Sequence, residues 1–479
     1  MNVPLRRVAI AILVLFAALL INANVVQVGE AGSLQANKYN SRVLEKEYDH
    51  ARGPIVAGDQ AVASSTKTPN DHLKYLRVYP GGPEYAPVTG YYSIVLGATG
   101  IERTENKVLA GTDDRLFTQR LSDLFTGRTT KGGTVVLTLN RKAQDAAWKA
   151  LGNRTGAVVA LDPKTGAVLA LASSPSYDPT KLSSHDLTAI KAYWEQLNKD
   201  PREPLLNRAI AETYPPGSVF KVVTTAAALT TGRYNPGTVL PAPDAYRLPL
   251  TNTYLHNFAG ETCGSGGQIT LADALRISCN TAYAELGVAL GDDVIRKVAQ
   301  GFGFGQSFTI PLPVAASHFP DHPNKPQTAL SAIGQFDVRI TPLQAAMIAA
   351  GVANGGVVMK PYLVQEVKAP DLSTIEAASP QALGRAISPQ VAATLTQLMQ
   401  GVVASGTGTA AQLPGISVAG KTGTAQHGAN RPEDAWFICF APANDPKVAV
   451  AVVLPDAGQT GGTVAAPIAR AVMAAVLNP

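Results

Sequence analysis

The chain has 479 residues, of which 46% are apolar and 16% are charged, so it can bury a large core and form more than one domain. The formal net charge is +5; residues 1–150 carry 18 Lys and Arg against 13 Asp and Glu, and residues 151–479 carry 22 of each. This balance excludes the dense basic surface that nucleic-acid binding needs, and we expect no nucleic-acid partner.

The N-terminus predicts a membrane anchor over residues 1–30. Arg6 and Arg7 precede 14 uninterrupted apolar residues, Val8 to Ile21. That run alone would form about 21 Å of helix, too short for a hydrocarbon core of about 30 Å, but extension to Val28 reaches the required length. A cleaved signal peptide is the alternative, although no convincing A-x-A site follows the run. In either case the basic end predicts that the rest of the chain lies outside the cytoplasm.

Residues 31–150 are polar and rich in Gly and Pro turns, and the short runs GYYSIVLG and TVVLTL predict strands. We interpret this region as a small mixed domain without chemistry of its own. It would stand between the membrane and a C-terminal domain over residues 151–479.

The C-terminal domain begins with a predicted hairpin, because GAVVALDPKTGAVLALAS holds two apolar runs joined by a D-P-K-T-G turn. Helices are predicted from about Ser218 to Thr231, from Thr270 to about Leu290, and over ITPLQAAMIAAGVANGG. GISVAG, DAWFICFAP and KVAVAVVLP predict strands, and TVAAPIARAVMAAVLN predicts a final helix. Strands with short connections and helices at both ends predict an α+β domain with an antiparallel sheet flanked by helices.

The strongest chemical signal is YPPGSVFKVVTTAAAL. The Pro-Pro-Gly sequence stops any helix from extending backwards, so Ser218 and Lys221 fall three residues apart on the first turn of a helix. A serine hydroxyl needs an adjacent base to become a nucleophile, and a lysine is that base only when burial and positive charge favour its neutral amine. A second S-x-x-K, Ser64 to Lys67, lies in a polar stretch and is interpreted as surface.

The stretch GISVAGKTGTAQ fits both the phosphate loop G-x-x-x-x-G-K-T and the tripeptide K-T-G of serine acyltransferases. The phosphate-loop interpretation is rejected, because such a loop must lead from a strand into a helix and Thr422 is followed by Gly423, Gly428 and Pro432. Another K-T-G, Lys164 to Gly166, is explained by the turn of the hairpin.

RISCNTAY contributes the third pattern, S-x-N, at Ser278 and Asn280. Residues two apart on an unbroken helix do not share a face, so both reach one site only if the helix is interrupted at Cys279. Alone, this pattern is explained equally well by a buried polar pair.

In this order, S-x-x-K, S-x-N and K-T-G resemble the active-site motifs of penicillin-binding proteins and serine β-lactamases. LTLNRKAQDAAWKAL, NRAIAETYPPGSVFKV and DAWFICFAP resemble class B penicillin-binding proteins across residues 135–479, and RVYPGGPEYAPVTGYYS resembles the penicillin-binding protein A group of actinobacteria, of mycobacterial type. The resemblance implies a penicillin-binding transpeptidase fold, like that of serine β-lactamases, preceded by a pedestal or dimerisation domain.

The resemblance also implies a peptidoglycan D,D-transpeptidase of cell-wall synthesis and cell division, inhibited covalently by β-lactams and without a metal or organic cofactor. Its partners would be stem peptides ending in D-Ala-D-Ala, an amine acceptor, a membrane glycan polymerase and division proteins. By this resemblance Ser218 would be the nucleophile, Lys221 its base, and Ser278 with Lys421 a proton relay. Asn280 would orient the substrate, and Thr422, Gly423 and Thr424 would bind it. The backbone N–H groups of Ser218 and Thr424 would stabilise the oxyanion.

Two rival functions remain open: a D,D-carboxypeptidase or β-lactamase, in which water replaces the amine, and an inactive division scaffold. The three cysteines show no zinc spacing. We expect Cys439 to be a buried apolar residue, and we hypothesise that Cys263 and Cys279 form a disulfide beside Asn280.

Overall fold

The computed structural model describes residues 3–30, 48–68, 71–116, 125, 131–426 and 431–478. Its strands are numbered in chain order: β1 Ile55–Ala57, β2 Gln60–Lys67, β3 Tyr75–Val78, β4 Tyr92–Ser93, β5 Gly97–Ala98, β6 Thr134–Leu137, β7 Gly156–Leu161, β8 Val168–Ser174, β9 Val239–Pro241, β10 Ala245–Arg247, β11 Tyr254–His256, β12 Gln268–Thr270, β13 Val357–Met359, β14 Val364–Lys368, β15 Thr374–Ala377, β16 Ala382–Arg385, β17 Ala419–Ala425, β18 Asp434–Ala441 and β19 Val448–Leu454.

The α-helices are α1 Val3–Asn24, α2 Gly82–Thr89, α3 Gly100–Thr104, α4 Asn106–Leu109, α5 Arg141–Leu151, α6 Pro179–Leu182, α7 Leu187–Lys199, α8 Lys221–Thr230, α9 Leu271–Arg276, α10 Asn280–Leu290, α11 Asp292–Gly301, α12 Lys325–Ala332, α13 Pro342–Ala353, α14 Pro389–Ser405, α15 Gly461–Val464 and α16 Ala466–Leu477.

Helix α1 is the N-terminal apolar helix that the sequence predicts. It continues into a short π-helical turn, Val25–Gly29, and none of its residues is buried. The apolar span Val3–Gln27 has 25 residues. At 1.5 Å per residue this is roughly 37 Å, long enough to cross a bilayer, so the helix fits a single-pass membrane anchor.

A five-stranded antiparallel sheet, in the order β17-β18-β19-β7-β8, forms the centre of the C-terminal half. Both of its faces are covered, as alternate residues of β19 show: Ala449, Ala451 and Val453 belong to one core cluster, and Val450 and Val452 to the other. Helix α13 packs on the first face, and α5 and α16 pack on the second. The predicted antiparallel sheet flanked by helices is confirmed, including the hairpin of β7 and β8.

A second, mixed sheet has the order β15-β14-β6-β1-β2-β3. Four of its strands come from residues 55–137, and β14 and β15 follow residue 360. Strand β14 pairs with β6 through the register Val367 to Val135. The sheet of the N-terminal region is therefore completed by a segment that lies more than 200 residues further along the chain.

Two predicted strands differ from the structure. GISVAG forms a strand only from Ala419, because Gly415 adopts a left-handed φ of 73° in a turn that Ile416 N closes onto Leu413 O at 3.2 Å. GYYSIVLG forms only the two-residue strands β4 and β5. The predicted helices over ITPLQAAMIAAGVANGG and at the C-terminus are confirmed as α13 and as α15 with α16.

Candidate active site

Ser218 lies in a single 3-10 turn, Gly217–Phe220, that leads directly into α8. The predicted helix is thus confirmed, with a tighter first turn. Gly217 has a φ of 52°, and a Cβ atom at this position would lie 2.5 Å from the carbonyl oxygen of Thr424. Gly217 N also donates to Gly334 O at 3.0 Å. Only glycine allows the turn that carries Ser218 to approach the strand β17 this closely.

Lys221 begins α8, and its side chain is completely buried. Its Nζ donates to the carbonyl oxygen of Ser278 and to Oδ1 of Asn280, both at 2.7 Å, and lies 5.4 Å from the centre of the buried ring of Tyr283. Burial, and next the charge of Lys421, hold the pKa of Lys221 well below its ordinary value of 10.5. The hydroxyl of Ser278 lies further away, 3.3 Å from the same Nζ. A neutral amine has two N–H groups and one lone pair; with the N–H groups directed to the two closer acceptors, the lone pair is left to exchange a proton with a neighbouring hydroxyl.

Ser278 and Asn280 reach this amine because the helix is interrupted. Helix α9 ends at Arg276 and α10 begins at Asn280, and between them Ser278 adopts a φ of 66°. This left-handed conformation is costly for a residue with a Cβ atom, roughly 1–2 kcal/mol. The predicted interruption at Cys279 is confirmed, and it turns both polar side chains towards Lys221.

Lys421, Thr422 and Gly423 lie on β17, at the edge of the five-stranded sheet. Lys421 is completely buried; its Nζ donates to Ser278 Oγ at 2.8 Å and to Thr422 O at 2.9 Å. Burial lowers its pKa to about 7. A Cβ atom at Gly423 would lie 2.8 Å from the side chain of Val219, so glycine lets this strand pack against the turn of Ser218.

The three motifs therefore meet at one hydroxyl group. Ser278 Oγ lies 3.3 Å from Lys221 Nζ and 2.8 Å from Lys421 Nζ. Ser218 and Thr424 are half-buried on either side of the contact between Gly217 and β17. This arrangement can pass a proton from one buried amine to the other through a serine, beside a half-exposed second serine.

The two duplicate patterns lie elsewhere. Lys164 to Gly166 forms the turn between β7 and β8, where Gly166 has a φ of 83° and the exposed Lys164 Nζ lies 2.6 Å from Asp445 Oδ1. Ser64 to Lys67 lies along β2 in the other sheet. The phosphate-loop interpretation is again excluded, because Thr422 lies within β17 and no helix follows it before β18 in the described residues.

Three polar residues at the site carry no motif and were missed from the sequence. Asn257 Oδ1 accepts from the backbone N–H groups of Asn280 and Thr281 at 2.9 and 3.0 Å. Thr407 and Thr422 share a hydrogen bond between their hydroxyl groups at 2.6 Å. The buried hydroxyl of Tyr283 bonds to Thr225 Oγ1 at 2.6 Å. Only Asn257 had an indirect signal, since a bond between Cys263 and Cys279 would bring its segment to this turn.

Cys263 and Cys279 form a disulfide with an S–S distance of 2.06 Å. Cys439 is a free, buried cysteine on β18, and burial raises the pKa of its thiol. Among the described residues, no group of three His, Cys, Asp or Glu side chains is arranged to hold a metal ion.

Comparison with known proteins agrees with this geometry. The sequence model of one protein family, the penicillin binding protein transpeptidase domain, matches residues 156–474. The family model of the penicillin binding protein A dimerisation domain matches residues 52–135. Peptidoglycan D,D-transpeptidase PbpA of Mycolicibacterium smegmatis is 50% identical over 100% of this chain and 99% of the relative.

Solved structures give the same result. The ceftriaxone acyl-enzyme complex of penicillin-binding protein A from M. tuberculosis matches with a TM-score of 0.88 and 46% identity, covering 90% of this chain and 100% of that one. The penicillin G acyl-enzyme complex matches with a TM-score of 0.86 and 46% identity, covering 89% and 100%. The chain therefore belongs to the family of penicillin-binding proteins with a transpeptidase domain.

Proposed function

We propose that the chain is a peptidoglycan D,D-transpeptidase, which cross-links stem peptides through a serine acyl-enzyme and is covalently inhibited by β-lactams. The observation that carries this proposal is the position of Ser278 Oγ between the buried amines of Lys221 and Lys421. The name of the M. smegmatis relative and the acyl-enzyme titles of the solved structures support the same activity.

In the acylation step, Ser218 Oγ attacks the carbonyl carbon of the peptide bond between the two terminal D-alanines. Lys221 Nζ takes the proton of the hydroxyl with its lone pair, so the serine attacks as an alkoxide. The backbone N–H groups of Ser218 and Thr424 stabilise the oxyanion, and such a donor is typically worth about 3 kcal/mol. The close contact of Gly217 with β17 supports this pairing of donors.

Collapse of the tetrahedral intermediate breaks the C–N bond, and the leaving D-alanine must gain a proton. The proton held by Lys221 reaches it through the hydroxyl of Ser278, which Lys421 orients by its hydrogen bond at 2.8 Å. Asn280 orients the amide of the substrate, while Thr422, Gly423 and Thr424 line the site of its carboxylate. An amine of a second stem peptide then attacks the carbonyl carbon of the acyl-enzyme, and its proton passes to Ser218 Oγ through Lys221 as the ester bond to Ser218 breaks. The new amide bond is the cross-link, and Ser218 is regenerated.

Fluorescent penicillin tests this function on the full chain. The transpeptidase predicts one covalent adduct at Ser218 that persists for many minutes, because rapid hydrolysis of the adduct would need a further base to activate water, as in a β-lactamase. Ser218→Ala is the control and must give no adduct. Rapid release of the label would favour a β-lactamase, and the absence of an adduct in the folded wild-type chain would favour an inactive scaffold.

The proposal extends to topology and partners. The basic residues before the apolar helix favour a cytoplasmic N-terminus, with the catalytic domain on the outer side of the membrane. Residues 31–150 would then act as a pedestal or dimerisation domain, as the match to residues 52–135 suggests. Protease added to intact spheroplasts should digest the catalytic domain; complete protection would contradict this orientation.

A class B enzyme of this kind carries no glycosyltransferase, so a separate membrane glycan polymerase and division proteins would be its partners. Cross-linking in cells followed by mass spectrometry should recover such a polymerase with the wild-type chain. The same experiment on a chain without residues 1–30 is the control, since a partner held through the membrane should then be lost.

A further inference from the structure

Residues 256–263 run over the turn that carries Ser278 and Asn280. This segment is exposed to solvent except at two positions, Asn257 and Cys263. Both buried residues contact the turn: Cys263 is bonded to Cys279, and Asn257 accepts two backbone hydrogen bonds at the start of α10. An otherwise exposed segment is thus fixed to the site at two points.

Helix α10 has no cap from its own sequence. The first N–H groups of a helix have no partner within the helix, and the side chain of the preceding residue usually accepts from them. Here that residue is Cys279, which is in the disulfide and makes no such bond. Asn257 supplies the missing cap from a position 23 residues before Asn280.

The cap bears directly on the proposed base. Asn257 holds the backbone of Asn280, and the carbonyl oxygen of His256 accepts from Asn280 Nδ2 at 3.3 Å. With its amide nitrogen used in this way, Asn280 turns Oδ1 towards Lys221 Nζ, at 2.7 Å. The neighbouring Ser278 has a strained φ of 66°, a conformation that persists only when its surroundings hold it.

We infer that Asn257 is a positioning residue for the proposed transpeptidase reaction. Its side chain fixes the turn of Ser278 and Asn280. Through that turn it also fixes the carbonyl oxygen of Ser278 and Oδ1 of Asn280, the two acceptors that set the direction of the lone pair of Lys221. This inference rests on the proposed function, and it assigns a role in the reaction to a residue that lies outside the three motifs.

The first test is the rate constant for acylation by penicillin in Asn257→Ala. We expect it to fall about 10- to 100-fold, since a displaced base costs this much in a well-organised site. The matched control is Asn140→Ala, which removes a comparable cap, because Asn140 Oδ1 accepts from Ala143 N at 3.1 Å at the start of α5. The control should leave the acylation rate within about twofold of wild type, since a cap remote from the site changes stability but not geometry at the base.

The second test separates positioning from stability. Asn257→Asp keeps the acceptor oxygen and loses no hydrogen bond, because Nδ2 of Asn257 is buried without a partner among the described residues. Its carboxylate favours protonated Lys221 and so raises the pKa of that amine. The acidic limb of the acylation rate should therefore move to higher pH, with a near-normal rate above it, whereas Asn257→Ala should be slow at all pH values.

The outcomes are distinct. If wild type forms no adduct, the proposed function fails. The role of Asn257 alone is overturned if wild type is acylated and two further results are obtained. These are an acylation rate of Asn257→Ala equal to that of Asn140→Ala, and a pH profile of Asn257→Asp equal to that of wild type. Should Asn257→Ala not fold, the pH profile of Asn257→Asp decides the question alone.

Discussion

Two lysine side chains, Lys221 and Lys421, are completely buried at the site, where an amine is most useful as a base and most costly to the fold. Desolvation disfavours the charged form of each, so the folded chain releases a proton that the unfolded chain keeps. The same burial that prepares Lys221 to accept a proton therefore destabilises the protein wherever solution pH favours the ammonium form. Activity and stability are in conflict at these two positions.

Lys421→Met measures this conflict. The pKa of Lys421 is about 7 in the folded state against 10.5 ordinarily, so the unfolded state binds more protons between these values and the stability of wild type rises with pH. The difference in Tm, variant minus wild type, should be largest at or below pH 7 and shrink towards pH 10.5. Thermal unfolding across that range checks it. A difference that is constant with pH would contradict the shifted pKa, and loss of acylation is expected throughout.

Candidate residues that stand in chemical motifs could be proposed from the sequence, whereas residues that only support them could not. Ser218, Lys221 and Lys421 stand in short motifs whose chemistry limits the residue types. Asn257 is one polar residue in a polar stretch, and its importance arises from a hydrogen bond to a helix 23 residues away. The hypothesised bond between Cys263 and Cys279 would bring its segment to the turn, but sequence spacing alone does not show which residue of that segment caps the helix.

Turns with left-handed glycines set how closely the elements of the site approach each other. Gly334 has a φ of 74°, and a Cβ atom there would lie 2.1 Å from the carbonyl oxygen of Gly217, the residue before Ser218. Gly232 has a nearly equal φ of 71° with open space around it. The pair separates the effect of backbone strain from the effect of a steric clash.

Gly334→Ala should therefore lower the free energy of unfolding by about 3 kcal/mol, from left-handed strain plus overpacking, and slow acylation by displacing the turn of Ser218. The control Gly232→Ala should cost about 1 kcal/mol, from strain alone, and leave acylation unchanged. Urea unfolding and penicillin acylation measure both effects. Equal behaviour of the two variants would refute the close packing of Gly334.

The disulfide links the turn of Ser278 to the segment of Asn257. Denatured wild type should expose one reactive thiol without reductant, that of Cys439, and three with it. Cys439→Ala is the control and should expose no thiol without reductant and two thiols with it. Replacing Cys263 and Cys279 by Ala should lower stability by about 3 kcal/mol, the chain-entropy value for a loop of this length. Three thiols without reductant would rule the bond out.

Elements with a regular hydrophobic pattern were predicted well, and their ends less well. The buried strands β18 and β19 and the helix α13 follow from continuous apolar runs. GISVAG has the alternation of a strand, but Gly415 forms a tight turn there. The local pattern is compatible with both structures and does not decide between them. The break at Ser278 was inferred only from the requirement that two side chains share a site.

At the scale of the whole chain, the N-terminal sheet depends on β14 and β15, which no local pattern assigns to it. A buried charged cluster lies beside this sheet: Glu102 accepts from Arg52 Nε at 2.5 Å and from Arg77 Nε at 2.6 Å, and all three side chains are buried. Burial alone would raise the pKa of Glu102, but Arg77 and Arg52 lower it below its ordinary value. The carboxylate is therefore charged in the folded chain.

Glu102→Gln should strongly destabilise the N-terminal region, by about 3–5 kcal/mol, because it leaves two buried guanidinium groups without a counter-charge. The matched control is Glu376→Gln, whose exposed carboxylate pairs with Arg115 and should be worth less than about 1 kcal/mol. Denaturant unfolding compares them. A loss in Glu102→Gln as small as in the control would show that this cluster does not stabilise the domain.

The central claim is that a buried, uncharged Lys221 activates Ser218. The most direct measurement is the rate constant for acylation of Ser218 by penicillin as a function of pH, with Ser218→Ala as the blank for hydrolysis in solution. The rate should rise with pH and reach a plateau well below pH 10.5, because burial and Lys421 keep the pKa of Lys221 below its ordinary value. A rate that continues to rise through pH 10.5 would mean that the amine has its ordinary pKa, and would contradict the account.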